Sequence, residues 1–339
     1  VEIPVRRMRG LVAAALLVAA ACGSGASGDE GRTLNIVGFA VPEAANRAIA
    51  EEWAKTPEGE GVRFETSYGA SGDQSRAVVN GLEADYVHFS VTSDVLRLVD
   101  AGLVAEDWDD GPTKGVVSSS IVVFAVRPGN PEGIEDWDDL LRPGIEIVTP
   151  NPASSGAARW NALAAWGQVI ASGGTEAEAE EYVRALFDHV VSLPGSGRDA
   201  TTAFLNGTGD VLLAYENEAI LARQNGEELD YVIPDTTMLI ENPGAVLIDA
   251  DPIAEDWLEF VLSEEGQRQF ALHGFRPVVD GVEVERVEGA ADPTDPYPEV
   301  ERLLTVEDDF GSWEELSEKF FDGEDAVIAR IIAESGKAG

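Results

Sequence analysis

The feature that most constrains this chain is a repeated order: a short apolar run, a turn of small residues, then a segment with helical spacing. "TLNIVGFA" (33–40) is read as a strand. "PEAANRAIAEEWAK" (42–55) is read as a helix with Pro42 in its first turn, where a missing N–H costs nothing. "VRFETSYG" (62–69) and "SGDQSRAVVNGL" (71–82) repeat the pair, and "ADYVHFSV" (84–91) is a third strand. Further strands are expected at 118–131, 144–152 and 245–252. Helices are expected at 156–171, 177–190 and 195–207, with strand then helix over 210–226. The tail from Ile253 reads as mainly helical, irregular near 277–298. Strands alternating with helices predict an α/β protein with a mixed, mostly parallel sheet flanked by helices.

Four of the strand-to-helix turns share a chemistry. They carry Val41-Pro42, Ser71-Gly72, Ser155-Gly156-Ala157 and Ser196-Gly197. A helix start leaves its first N–H groups without intrahelical partners and carries roughly half a positive elementary charge. Together these hold an anion without lysine or arginine. Small residues let the backbone N–H groups approach a ligand closely. Any one such start is also an ordinary helix cap. Asp73 and Asp199, just inside two of them, fit the usual preference for acids in a first helical turn.

The charge narrows the partners. The chain has a formal net charge of −40, with 19 arginines and 4 lysines. Nucleic acid is excluded as a partner, because phosphate backbones require a basic face. Such an excess of carboxylates also suits a saline medium that screens their repulsion. His88, His189 and His273 are scattered without metal-ligand spacing, and phosphate-loop, zinc-protease and serine-hydrolase motifs are lacking. Neither cofactor nor metal is expected. Glu216 and Glu218 are read as members of a hydrogen-bond network rather than as a catalytic acid pair.

The N-terminal segment reads as a targeting sequence. Gly10–Ala21 is apolar but too short to span a bilayer, and it follows Arg6, Arg7 and Arg9. The single cysteine, Cys22, comes directly after Ala19-Ala20-Ala21, which resembles a bacterial lipobox. The expectation is a signal peptide over 1–21, lipid attachment at Cys22, and a flexible tether over 22–32.

"YGASGDQSRAVVNGLEADYV" (68–87), "TPNPASSGAARWNALAAWG" (149–167) and "GDVLLAYENEAIL" (209–221) closely resemble the sulfate-binding proteins of bacterial ABC importers. "SEEGQRQFALHGFRP" (263–277) and "FGSW" (310–313) fit the same family. The resemblance implies a two-lobed, type II periplasmic-binding-protein-like fold with two crossover strands at a hinge. Lobe I is expected over 33–122 and 248–339, and lobe II over 123–247. It implies a monomer that closes on one dehydrated sulfate and delivers it to a membrane permease. Carried across, Val41, Ser71, Gly156, Ala157 and Gly197 match backbone N–H donors and Ser155 the hydroxyl donor. Tyr215 stands where the family has a tryptophan whose indole N–H binds the anion. Arg159 and Arg198 are placed behind these donors rather than on the ligand. A phenol donates or accepts where an indole only donates. Thiosulfate, molybdate, tungstate and phosphate therefore stay open as ligands, and an extracytoplasmic phosphatase or sulfatase is the remote alternative.

Overall fold

The computed structural model describes residues 32–322 and 325–337, so the targeting segment and Cys22 lie outside the described residues. The chain begins with β1 (Thr33–Phe39), α1 (Glu43–Trp53), β2 (Arg63–Gly69), α2 (Ser71–Val79), β3 (Tyr86–His88) and α3 (Thr92–Asp100). Then come β4 (Val116–Val126), β5 (Ile147–Val148), α4 (Gly156–Ala171), α5 (Glu176–His189), β6 (Val190–Ser192) and α6 (Gly197–Leu205). These are followed by β7 (Val211–Tyr215), α7 (Glu216–Gln224), β8 (Asp230–Val232) and β9 (Thr236–Val246). The tail holds α8 (Ile253–Val261), α9 (Glu264–Leu272), β10 (Arg302–Leu304), α10 (Val306–Asp309), α11 (Trp313–Phe320) and α12 (Val327–Glu334).

The strands run in the order β2-β1-β3-β9-β4-β7-β5-β6. β1 pairs parallel with β2 and β3, and β5 parallel with β6 and β7. The β3–β9, β9–β4, β4–β7 and β4–β8 pairs are antiparallel. β4 changes partner along its length: residues 116–121 lie on β9, and residues 122–126 lie on β7. β9 does likewise, pairing β10 at its start, β4 in its middle and β3 at its end. These two long strands are the connection between the parallel groups β2-β1-β3 and β7-β5-β6.

β9 corrects one expectation. It begins at Thr236 and ends at Val246, so Leu247–Pro252 is not strand. Pro243 hid its first part, because proline cannot donate to a ladder and normally excludes a central strand. Here Pro243 sits opposite Val116, where the register shifts, and its carbonyl accepts from Phe89 N–H. The short strands β6, β8 and β10 and the helix α3 were also not separated by sequence pattern.

α8 and α9 pack on α1, and the last helices pack elsewhere. The Trp313 ring meets Trp160 edge-on at 4.9 Å, and Phe320 meets Trp166 at 5.0 Å. Arg330 donates to Glu180, and α12 packs on α5. The apolar stripes of α11 and α12 therefore bury against α4 and α5, within the stretch expected as lobe II. α4 itself is buried on nearly every side, from Gly156 to Gln168. Its alanines and glycines let β9 and α5 approach closely. A helix enclosed this way is a rigid part of the core rather than a surface cover.

Candidate anion-binding site

The C-terminal ends of β1, β2, β3, β5 and β6 open on one small cavity. It is lined by Phe39, Ala40, Val41, Gly69, Ala70, Ser71, Ser90, Ser155, Gly156, Ala157, Ser196 and Gly197. The four helix starts singled out in the sequence therefore meet. Such crevices beyond strand C-termini are where open α/β sheets place their ligands.

Close packing explains the small residues. A Cβ on Gly156 would lie 2.4 Å from Ser90 Oγ and 2.5 Å from Ser90 Cβ. One on Gly197 would lie 3.2 Å from both the Ala157 Cβ and Val41 Cγ2. The starts of α4 and α6 are thus pressed against the ends of β3 and β1. Hydrogen bonds cross the same gap, among them Gly72 N–H to Ser154 O at 3.0 Å, Arg198 to Val41 O at 3.0 Å and the Trp160 indole N–H to Ser90 O at 2.8 Å.

Donors around the cavity are not all available. Among the described residues the N–H groups of Val41, Ser71, Gly156, Ala157 and Gly197 find no acceptor in the protein. Helix starts leave such N–H groups without intrahelical partners, and all of these residues but Gly197 are buried, so five around one space mark a place for an acceptor from outside. The four serines differ. Ser71 Oγ accepts from Ser90 N–H and donates to Asp94 at 2.6 Å. Ser196 Oγ accepts from Asp199 N–H and donates to the Asp199 carboxylate at 2.8 Å. Ser155 Oγ makes no cap bond to its own helix. Ser90 Oγ lies 2.7 Å from the Tyr215 hydroxyl.

The remaining expected residues sit behind this wall. Tyr215 is fully buried and does not line the cavity; it reaches the site through Ser90. Burial raises its pKa, so it stays a neutral phenol. Arg198 is held by Glu218 at 2.7 Å, and Thr201 donates to the same carboxylate. Arg159 points toward Pro152 O, Ser93 and Asp322, with its guanidinium over Phe321, away from the cavity. Glu216 is completely buried against Arg276; burial raises its pKa and Arg276 opposes that shift. His88 is buried among Asn46, Ser118 and Phe39, and burial lowers its pKa to about 3. Among the described residues no cluster of His, Cys, Asp and Glu is suited to a metal ion.

Ser90 was not foreseen. The sequence hid it inside an expected strand over 84–91, whereas β3 ends at His88. With neither the end of β3 nor the start of α3 marked in the sequence, no local pattern set Ser90 apart.

An open α/β sheet with two long connecting strands, and a donor-lined crevice at the strand ends, is the fold of the periplasmic binding proteins. Residues 34–276 match the family model described as bacterial extracellular solute-binding protein. A sulfate-binding protein of Synechococcus elongatus is 39% identical over 92% of this chain and 91% of its own length. A thiosulfate-binding protein of Pseudomonas aeruginosa is 37% identical over 82% of this chain and 85% of its own. The solved structure of the sulfate-binding protein SubI from Mycobacterium tuberculosis H37Rv superposes with a TM-score of 0.80. It is 43% identical, covering 86% of this chain and 100% of that one. The chain belongs to the sulfate-binding family of bacterial extracellular solute-binding proteins.

Proposed function

We propose that this protein captures sulfate in the cavity between the helix starts and hands it to an ABC-type membrane permease. The observation that carries this reading is the set of five unpartnered N–H groups and one free serine hydroxyl around one small space. A fully ionised tetrahedral dianion supplies only acceptors, and this wall offers it N–H and O–H donors. Each hydrogen bond to a charged group contributes about 1.5–3 kcal/mol, more than a neutral pair. Water exclusion in so small a crevice strengthens the N–H dipoles further. The names of the relatives, sulfate-binding and thiosulfate-binding, support the same ligand class.

Binding then proceeds by hinge closure. In this reading one lobe holds 33–122 with the tail as far as α9, and the other holds 123–247 together with α11 and α12. β4 and β9 form the hinge. Val41, Ser71 and Ser90 come from the first lobe; Ser155, Gly156, Ala157 and Gly197 come from the second. The bonds from Gly72 to Ser154 and from Arg198 to Val41 are the latch of the closed form. The protein works extracytoplasmically as a monomer, is anchored through lipid on Cys22, and has no catalytic role. Mass spectrometry of the membrane-bound protein checks the anchor.

Calorimetry of the purified protein with sulfate, thiosulfate, molybdate and phosphate tests the ligand. Tight 1:1 binding of sulfate with negligible phosphate binding is expected. Absence of sulfate binding overturns the reading. A preference for thiosulfate replaces it with the second reading, favoured by the relative of that name.

A further inference from the structure

We propose that the Ser90 hydroxyl is a ligand donor in this site, and that Tyr215 and Asn242 hold it as one. The proposal rests on the oxyanion reading above and adds a donor that the sequence did not indicate.

The direction of each hydrogen bond follows from counting protons. The Asn242 amide nitrogen donates to the Ser90 backbone carbonyl at 3.0 Å, which fixes the orientation of the amide. The same nitrogen lies 3.4 Å from the Tyr215 hydroxyl and donates its second hydrogen there. The Tyr215 oxygen is thereby an acceptor. Its own proton has one acceptor within reach, Ser90 Oγ at 2.7 Å. Were Ser90 to donate to Tyr215 instead, a fully buried phenol proton would be stranded, at a cost of about a whole hydrogen bond. Ser90 Oγ therefore accepts from Tyr215, and its own proton is left for the cavity that Ser90 lines.

The chain extends backwards with the same polarity. Ser118 Oγ donates to Asn242 Oδ1 at 3.3 Å, so Ser118 accepts from His88 Nε2 at 3.1 Å. His88 is then neutral with its proton on Nε2, and Nδ1 accepts from the Asn46 amide at 3.2 Å. From His88 through Ser118, Asn242 and Tyr215 to Ser90, every member gives a proton toward the cavity. Aligned bonds of this kind polarise one another.

The consequence is selectivity. Tyr215 does not touch the ligand, but it turns a hydroxyl that could accept into one that only donates. A sulfate ion gains a donor. A hydrogen phosphate, which brings a P–O–H proton, meets no acceptor at Ser90. A mismatched buried proton is strongly disfavoured. Tyr215 is a positioning residue, and its removal should move the ratio of the two affinities rather than merely lower both.

Calorimetry with sulfate and with inorganic phosphate at pH 8 tests this on the wild type, Ser90→Ala and Tyr215→Phe, with thermal melts as a check of folding. Ser90→Ala should weaken sulfate binding by tenfold or more. Tyr215→Phe frees the Ser90 hydroxyl to turn, so phosphate should bind more tightly while sulfate weakens. The sulfate-to-phosphate affinity ratio should fall by at least tenfold. Should Ser90→Ala not fold, the ratio in Tyr215→Phe decides alone. Sulfate affinity within twofold of wild type in folded Ser90→Ala overturns the proposal, as does an unchanged ratio in Tyr215→Phe. Wild type that does not bind sulfate sinks the functional reading instead.

Discussion

Ser155 and Ser196 occupy the same place on two helices. Each is the residue before a helix that begins with glycine, and each lines the cavity. They behave differently because of the residue three places on. After Ser196 it is Asp199, whose N–H and carboxylate occupy both faces of the hydroxyl. After Ser155 it is Ala158, which offers no side-chain acceptor, and the hydroxyl stays free. One serine caps its own helix and the other is left for a guest. Ser71, tied to Asp94, falls in the first class, and Ser90, aimed by Tyr215, in the second. A nearby carboxylate decides whether a cavity-lining serine belongs to the fold or to the ligand.

The comparison can be broken most forcefully at the glycines. Gly156→Ala puts a methyl inside the Ser90 side chain, and sulfate affinity should fall by about 100-fold or more by calorimetry, because the cavity wall must shift. Next in size is the serine pair itself. Ser155→Ala removes one charge-assisted donor and should cost roughly 10–100-fold in affinity with little change in stability. Ser196→Ala should do the reverse: a loss of about 1 kcal/mol in stability by urea denaturation, as for a lost cap, with affinity within about threefold of wild type. Equal behaviour of the two variants would refute the distinction.

The free Ser90 depends on a histidine that stays neutral, and this gives a pH test. The folded-state pKa of His88 is lowered to about 3 by burial, below the ordinary value of 6.5. Its contribution is therefore complete above pH 6.5 and is lost as pH falls toward 3. The slope is about 1.4 kcal/mol per pH unit for one proton. Denaturation at pH 7 and pH 5 should show wild type losing about 2 kcal/mol more than His88→Gln, which cannot take up that proton. The smallest effect is expected at Gly197→Ala. Its methyl meets the Ala157 Cβ and Val41 Cγ2 at 3.2 Å, a few tenths of an ångström too close rather than overlapping as at Gly156, so sulfate affinity should drop only about two- to fivefold.

Much of this was legible in the sequence. The helix starts announced themselves because small residues sat between apolar runs and helical spacing. The tail helices were visible as helices, but their attachment to α4 was not, since an amphipathic stripe does not name its partner. Convergence of the starts is a property of sheet order, which no local pattern records. The resemblance puts Tyr215 on the ligand; in the structure its hydroxyl lies 2.7 Å from Ser90 Oγ and it is not among the residues lining the cavity. Asp199 was read as an acid favouring a helix start. Its capture of Ser196 could have been read from the same spacing, serine followed three places later by an acid.

The residues lining the cavity include neither lysine nor arginine, and Arg198, which forms part of the proposed latch, is already matched by Glu218. In the proposed mechanism, a dianion that departs when the halves part leaves no stranded countercharge behind among the residues that line the cavity. Water re-solvates neutral amides and hydroxyls, with no ion pair to pull apart. On the proposed hinge closure, retention depends on enclosure more than on attraction, and whatever pries the lobes open also releases the cargo.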